Sequence, residues 1–162
     1  MEIIVQYAKT FSDPPEKVRR GCRGLIFQNN KILLSYEKNT NVYMTPGGGI
    51  EPGETLEECV VREFGEETGY KIKVIEPYVT VHEYCFETLH ENNYFICEIT
   101  GETERQLTEN EIDHGLVAEW VDVERAIEIF ATYPTRTEDI MSLYMREFTV
   151  INKYLNKKAT AL

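Results

Sequence analysis

REFGEETGY, residues 62–70, sets Glu63, Glu66 and Glu67 within two turns of what reads as one helix, beside apolar positions. Like charges at neighbouring helical positions repel by roughly 0.2–0.5 kcal/mol per pair. A solvated acidic face tolerates that repulsion, whereas a cation-binding face requires it. Placement around the helix separates the two readings. Thr55-x-x-Glu58 carries a capping-box pattern and Gly69 fits a C-terminal stop, so the helix is expected to begin at Thr55. On a wheel of about 100° per residue, Leu56, Val60 and Phe64 share one stripe with Cys59 at its side. Glu63 and Glu67 fall within or next to that stripe and Glu66 beside Cys59. Glu57 flanks Phe64, while Glu58, Arg62, Gly65 and Thr68 take the other side. The three carboxylates therefore border the buried face, where an unpaired charge is costly. Arg62 is the only cation of this helix and points away from Glu67, so it cannot compensate all three. A hard divalent cation with oxygen ligands can, and the placement favours a metal site over a solvated face.

The preceding stretch MTPGGGIEPGE reads as a loop, with its two prolines and four glycines. Gly47-Gly48-Gly49 offers backbone that can approach a ligand closely, with carbonyl oxygens free to coordinate. Gly53 lies just before the helix N-terminus, where amides and dipole favour anions.

Outward from this unit, EIIVQYA reads as a strand. GCRGLIFQNNKILLSYEK reads as two strands, 22–27 and 31–36, joined by a turn at Gln28-Asn29-Asn30. After the helix, KIKVIEPYVTVHEYCFET and NYFICEIT alternate as strands, with HENN as the turn between them. GETERQLTENEIDHG is a polar loop and LVAEWVDV a short strand. Asp122 is placed to cap a short helix through Phe130. In the tail, Ile140, Tyr144, Phe148, Ile151 and Leu155 recur at helical spacing and predict an amphipathic helix packed on the sheet. The layout is α+β, an α/β/α sandwich with a mixed sheet, in a single domain over 1–162.

Composition bounds the class of partner. The formal net charge of −11 over 162 residues repels phosphate polymers, which argues against long nucleic acid. A small anionic substrate remains compatible if a divalent cation mediates the contact. Cys22, Cys59, Cys85 and Cys97 show no metal-ligand spacing, the first residues lack a signal-peptide pattern, and no run approaches a membrane span. The expectation is a cytoplasmic, reduced, soluble protein. A homodimer is compatible with the sequence, and no feature decides it.

Gly48, Glu54, Arg62-Glu63, Phe64, Glu66-Glu67, Gly69 and Tyr70 reproduce G-x5-E-x7-R-E-U-x-E-E-x-G-U, where U is bulky and apolar. This resembles the Nudix box, complete at every fixed position over about a seventh of the chain. The resemblance implies hydrolysis of a nucleoside diphosphate linked to another moiety, using Mg2+ or Mn2+. It implies Glu63, Glu66 and Glu67 as metal ligands with the Gly47 carbonyl as a further one. Arg62 and Glu54 would form a structural pair that orients the helix, and Gly48 would support the turn; Gly65 receives no role. Among candidate general bases a box glutamate, Glu66 or Glu63, is favoured, with Glu109, Glu111 or Asp113 as rivals from the loop.

Substrate choice is less legible. No sub-pattern for ADP-ribose, dinucleoside polyphosphates, coenzyme A or NADH is evident. Tyr84, Phe86 and Tyr94 are the candidates for base stacking, although aromatics in strands more often belong to a core. Among His82, His90 and His114, none with ligand spacing, His114 alone stands near the expected site, and Trp120 is expected to pack in the core. The leading reading is a pyrophosphohydrolase of small nucleotide derivatives, with (deoxy)nucleoside triphosphates first and ADP-ribose, nucleotide sugars or dinucleoside polyphosphates as alternatives. A non-catalytic sensing module and an isoprenoid-diphosphate isomerase are the competitors.

Overall fold

The capping pattern around Thr55 takes the form its sequence predicts in the computed structural model, which describes residues 1–161. The Glu58 amide donates to Thr55 Oγ1 at 3.2 Å and the Thr55 amide to Glu58 Oε2 at 2.8 Å, opening helix α1 over Leu56–Thr68. Gly69 closes it in the left-handed conformation at φ 77°, a position where a glycine avoids the Cβ penalty.

Around α1 the chain runs as β1 (Glu2–Phe11), β2 (Lys17–Leu25), β3 (Phe27–Gln28), β4 (Lys31–Glu37), β5 (Val42–Met44) and β6 (Gly47–Gly49) before it. After it come β7 (Tyr70–Phe86), β8 (Thr88–Glu102), α2 (Glu109–His114), β9 (Leu116–Asp122), α3 (Val123–Phe130) and α4 (Glu138–Thr160). One sheet has the order β1-β7-β8-β2-β6, with β1–β7 and β2–β8 parallel and the other pairs antiparallel. The second sheet has the order β3-β4-β5, with β9 also on β4. Val60 and Phe64 of α1 bury against Ile26, Leu33, Ile72 and Phe95 on one side. On the other side Tyr144, Val150 and Ile151 of α4 and Phe130 of α3 bury against Leu25, Leu34, Val81 and Tyr94. The result is the expected α/β/α sandwich with a mixed sheet. Among the described residues no helix is long and apolar enough to cross a membrane.

Several local expectations are corrected. HENN is not a turn: His90–Asn93 run inside β8, and the reversal falls at Phe86-Glu87, with Phe86 at φ 52°. β8 is paired on both edges there, and Asn93 is held by the Thr80 hydroxyl (2.8 Å) and the Gly21 carbonyl (3.0 Å), so polar residues sit in a central strand with partners. Gly47–Gly49 is a strand rather than a free loop, paired with Gly21–Arg23. Its approach is so close that a Cβ on Gly47 would overlap the Cys22 carbonyl. The strand expected over 22–27 begins at Lys17 and breaks at Ile26. The expected polar loop is strand to Glu102 and helical over Glu109–His114. Asp122 precedes α3 without a side-chain cap, its carboxylate pairing with Lys31 at 3.0 Å instead. Trp120 packs against the α1 cluster but is only partly buried. The reduced-cysteine expectation also fails, because Cys22 of β2 and Cys59 of α1 form a disulfide, leaving Cys85 and Cys97 free.

A buried polar network docks α4. Arg146 donates to Glu83 (2.7 Å), Glu147 (3.2 Å) and the Tyr94 hydroxyl (2.8 Å). Glu147 in turn accepts from the amide and hydroxyl of Thr45, at 3.3 and 2.9 Å, just ahead of β6. Burial pushes the Glu83 carboxyl up, but Arg146 and the Ser142 hydroxyl outweigh it and leave it below the ordinary range. Arg146→Met strands two buried carboxylates without their cation and is expected to cost about 3–5 kcal/mol in urea unfolding. A loss below about 1 kcal/mol would contradict this assignment of the network.

Candidate active site

α1 and the turn before it gather charge around one guanidinium. Arg62 grips Glu54 through Nε (2.7 Å) and Nη2 (3.0 Å), and Nη2 also donates to the Gly49 carbonyl at 3.1 Å. Nη1 reaches Glu63 Oε1 at 2.8 Å and Glu66 Oε2 at 3.3 Å. The two-point fork to Glu54 is a geometry that the planar guanidinium supports and an ammonium does not. It holds the Glu54 carboxyl below the usual range, and Arg62 itself is raised above its own. Glu63 and Glu66 therefore converge on one nitrogen, one turn apart on the same side of α1.

Glu67, one turn beyond Glu63 on α1, is held by a separate set of partners. Its Oε2 accepts from the Ser35 hydroxyl at 2.8 Å and from the Gly47 amide at 3.3 Å. Burial pushes its carboxyl up to about 8, against the pull of Ser35 and Arg23, with Glu111 adding to the rise. Burial likewise raises Glu63, opposed by Arg62 and reinforced by Glu66 and Glu111. Gly48 lies directly against the Glu63 carboxylate, and a side chain there would displace it. Gly65, given no role by the sequence, lies under Thr103, whose Cγ2 would stand 3.3 Å from an added Cβ.

The fit of this cluster to a divalent cation is tested by its donors. They are carboxylate oxygens in charge excess over a single arginine, next to backbone carbonyls, a set that suits hard cations. Among the described residues no three acidic, imidazole or thiol groups already converge on a metal-binding point. Glu63 and Glu66 bond Arg62, and Glu67 bonds Ser35 and the Gly47 amide; these carboxylates are the groups that would hold such an ion.

The segment after β8 is tied to the end of α1. The Gln106 amide donates to the Glu66 carbonyl at 2.9 Å, and Arg105 donates to the Glu67 carbonyl at 3.1 Å and to that of Leu116. These contacts satisfy carbonyls that a helix C-terminus leaves free and carry α2 toward the cluster. Of the three loop acids, Glu111 acts on Glu63 and Glu67, while Glu109 and Asp113 are exposed. Glu111 also closes a capping box with Thr108. His114 approaches Glu37 at 3.2 Å without hydrogen-bond alignment.

The aromatic expectations divide. Tyr94 is fully buried, its hydroxyl accepting from Arg146, and no ligand can stack on it. Tyr84 stacks on Tyr7 at 5.0 Å, on the face of β7 opposite Glu83 and Cys85. Phe86 alone borders a cavity of about 270 Å³ that Gly48 shares with Arg19, Arg23, His90 and Asn92. Sequence reading missed this groove. Its available signal was the run RRGCR, whose Arg19 and Arg23 fall on one side of a strand in an otherwise acidic chain. A larger cavity of about 700 Å³ lies beside Tyr78 and Lys157, and none of the acidic cluster lines it.

With this geometry in view, the comparisons with known proteins agree. The chain belongs to the Nudix family: the model of the NUDIX domain matches residues 17–143. It is 52% identical over 54 residues to an ADP-ribose pyrophosphatase of Methanocaldococcus jannaschii, covering 32% of each chain. It is 46% identical over 43 residues to a putative 8-oxo-dGTP diphosphatase of Bacillus subtilis, covering 29% of that protein. The matches thus span about a third of the length of these two relatives. A longer match, 28% identical over 134 residues and 80% of each chain, is to diphosphoinositol polyphosphate phosphohydrolase 3-alpha of Mus musculus. Among solved structures, a NUDIX hydrolase from Nitrosomonas europaea superposes with TM-score 0.62 at 22% identity, covering 81% of this chain and 88% of that one. At that identity the likeness is one of fold.

Arg62→Lys keeps the charge and loses the fork. It is expected to weaken Mn2+ binding by about 10–100-fold, the range seen when a residue orienting metal ligands is removed, while the melting temperature stays within a few degrees. Unchanged Mn2+ affinity would separate the fork from the site.

Proposed function

We propose that this chain hydrolyses a phosphoanhydride bond in a small nucleotide-derived substrate with Mg2+ or Mn2+. A (deoxy)nucleoside triphosphate cleaved to monophosphate and pyrophosphate is the first reading, and ADP-ribose, nucleotide sugars or dinucleoside polyphosphates are the second. The observation that carries the proposal is the convergence of Glu63 and Glu66 on one Arg62 nitrogen, at 2.8 and 3.3 Å, with buried Glu67 next along the same helix. Glu63, Glu66, Glu67 and the Gly47 carbonyl are the groups assigned to hold the cation, which supplies charge neutralisation at the phosphoryl oxygens and a water reactive near neutral pH.

The chain's own residues do the rest. Arg62, anchored by Glu54, fixes the rotamers of Glu63 and Glu66. Gly48 leaves room for the Glu63 carboxylate, and Ser35 with the Gly47 amide holds Glu67 in place. Glu66 is the most exposed of the three, at 33% of its side chain, and is assigned to accept the proton of the attacking water. Glu111 is the loop acid placed to assist. The isomerase reading loses support, since Cys59 is held in a disulfide and burial pushes the Cys85 thiol up. The sensing-module reading loses support from the full set of box glutamates.

One observation favours a second substrate class. The mouse relative that aligns over 134 residues is named for diphosphoinositol polyphosphates, so non-nucleotide polyphosphates belong beside the nucleotides. The test is phosphate and pyrophosphate release with Mg2+ over triphosphates (oxidised ones included), ADP-ribose, nucleotide sugars, dinucleoside polyphosphates and diphosphoinositol polyphosphates. Glu67→Gln, which retains both accepted hydrogen bonds through its amide oxygen, is expected to lose turnover at least about 100-fold and keep its fold. Wild-type turnover that survives in Glu67→Gln would overturn the metal assignment.

A further inference from the structure

The groove behind Gly48 holds more donors than its own acceptors can use. Glu83, in its wall, has both oxygens taken: Oε1 by the Ser142 hydroxyl at 2.8 Å and Oε2 by Arg146 at 2.7 Å. Each nitrogen of Arg146 has a partner, in Tyr94, Glu83 and Glu147. Arg23 donates to the Thr45 carbonyl (2.7 Å) and to Asn92 Oδ1 (3.4 Å), which leaves Nη2 without a partner of its own. Asn92 is 7% exposed, and its Nδ2 has no hydrogen-bond partner among the described residues. Turning the amide over would set two donors against each other at Arg23, so Arg23 fixes which end of Asn92 is left free. Arg19 and His90 add a guanidinium and a half-buried imidazole with no side-chain hydrogen bond among the described residues. The other carboxylate of the groove, Asp139, lies at the exposed rim, where Oδ1 accepts from Thr137.

A buried amide donor left unpaired is costly, and two arginines converge on the same space in a chain of net charge −11. The ligand that satisfies such a wall is rich in acceptor oxygens and negatively charged. Arginine and amide donors together suit a phosphoryl group, which accepts at several oxygens. Gly48 is the common wall: the Glu63 carboxylate packs on it from one side, and it lines the groove on the other. A group in the groove is therefore adjacent to the acidic cluster without overlapping it.

Resting on the hydrolase reading above, we infer that this groove binds a second phosphoryl group of the substrate, remote from the scissile anhydride, through Asn92, Arg23 and Arg19. The substrate class this selects carries phosphate beyond the anhydride itself. That phosphate can stand in a longer polyphosphate chain, on a ribose hydroxyl or on a polyol ring. A substrate ending in an uncharged sugar brings no negative charge to pair with Arg19 and Arg23.

The experiment compares kcat/KM, with Mg2+ present, within pairs that differ only in the remote phosphate. ADP-ribose against its 2′-phosphate tests the ribose source, dinucleoside triphosphate against pentaphosphate the chain source, and diphosphoinositol species of low against high phosphate number the ring source. The wild type is expected to prefer the more phosphorylated member of at least one pair by about tenfold or more, the effect of a charge-assisted hydrogen bond. Asn92→Leu and Arg19→Gln should each reduce that preference about tenfold, and Arg19, being exposed, can be replaced without a folding cost. Turnover with no preference in any pair, or a preference that survives both substitutions, overturns the inference and leaves the hydrolase reading intact. Absence of turnover throughout would instead fail the hydrolase reading. The groove is then judged alone in metal-free buffer, where the acidic cluster repels anions. Calorimetric binding of tripolyphosphate or inositol hexakisphosphate, weakened about tenfold in both variants, supports it; no binding, or binding equal in both variants, overturns it.

Discussion

The fork between Arg62 and Glu54 is the constraint from which the site is built. One guanidinium takes Glu54 at two points, the Gly49 carbonyl at a third, and Glu63 and Glu66 with its remaining edge. That arrangement joins α1 to the turn that precedes it and sets the rotamers of two carboxylates one turn apart. Without the fork those side chains would separate by mutual repulsion, since no other cation lies in the helix. A positive charge of this kind balances part of the cluster and leaves an excess of oxygen donors, which is the condition for recruiting a divalent ion rather than neutralising itself.

The surrounding packing keeps that fork in register with the sheet. Phe64 and Val60 seat α1 on one core, and the Cys22–Cys59 disulfide ties it to β2. Gly24, on the same strand, has a Phe64 ring where a side chain would be. At the other end of α1, Arg105 and the Gln106 amide cover carbonyls of Glu66 and Glu67. From the opposite face of the sheet, Glu147, itself paired with Arg146, anchors Thr45, two residues before Gly47, so β6 is fixed from both sides. Burial of Glu67 between Ser35 and Gly47 follows from this, and so does its reluctance to ionise alone.

Legibility from sequence tracked how local the determining interaction is. The α1 boundaries, its cap at Thr55 and its stop at Gly69 depend on residues within four positions of each other, and they were readable. The Glu54–Arg62 pair was implied by the box resemblance. The wheel, by contrast, set Arg62 on the side away from the carboxylates, because it takes no account of a long side chain that reaches round to Glu63 and Glu66. His90–Asn93 misled because their polarity resembles a turn, whereas Asn93 is satisfied by Thr80 and Gly21 from distant segments. Tyr94 looked available for stacking, yet Arg146, 52 positions away in sequence, claims its hydroxyl in the core. Cys22 and Cys59 lie 37 positions apart and show no motif, so only the docking of α1 on β2 brings them together. The groove was hidden for the same reason: Arg19 and Arg23 lie in one strand, but Asn92 and His90 join them only through the parallel β2–β8 pairing.

The central claim is that the α1 carboxylates, aligned by Arg62, form a divalent-cation site. Titration of Mn2+ into the protein, followed by the electron paramagnetic resonance of the free ion, tests it without reference to any substrate. Saturable binding by the wild type, weakened about tenfold or more in both Glu63→Gln and Glu66→Gln, is the result this account predicts. Absence of saturable binding, or affinity equal to wild type in both variants, would contradict it.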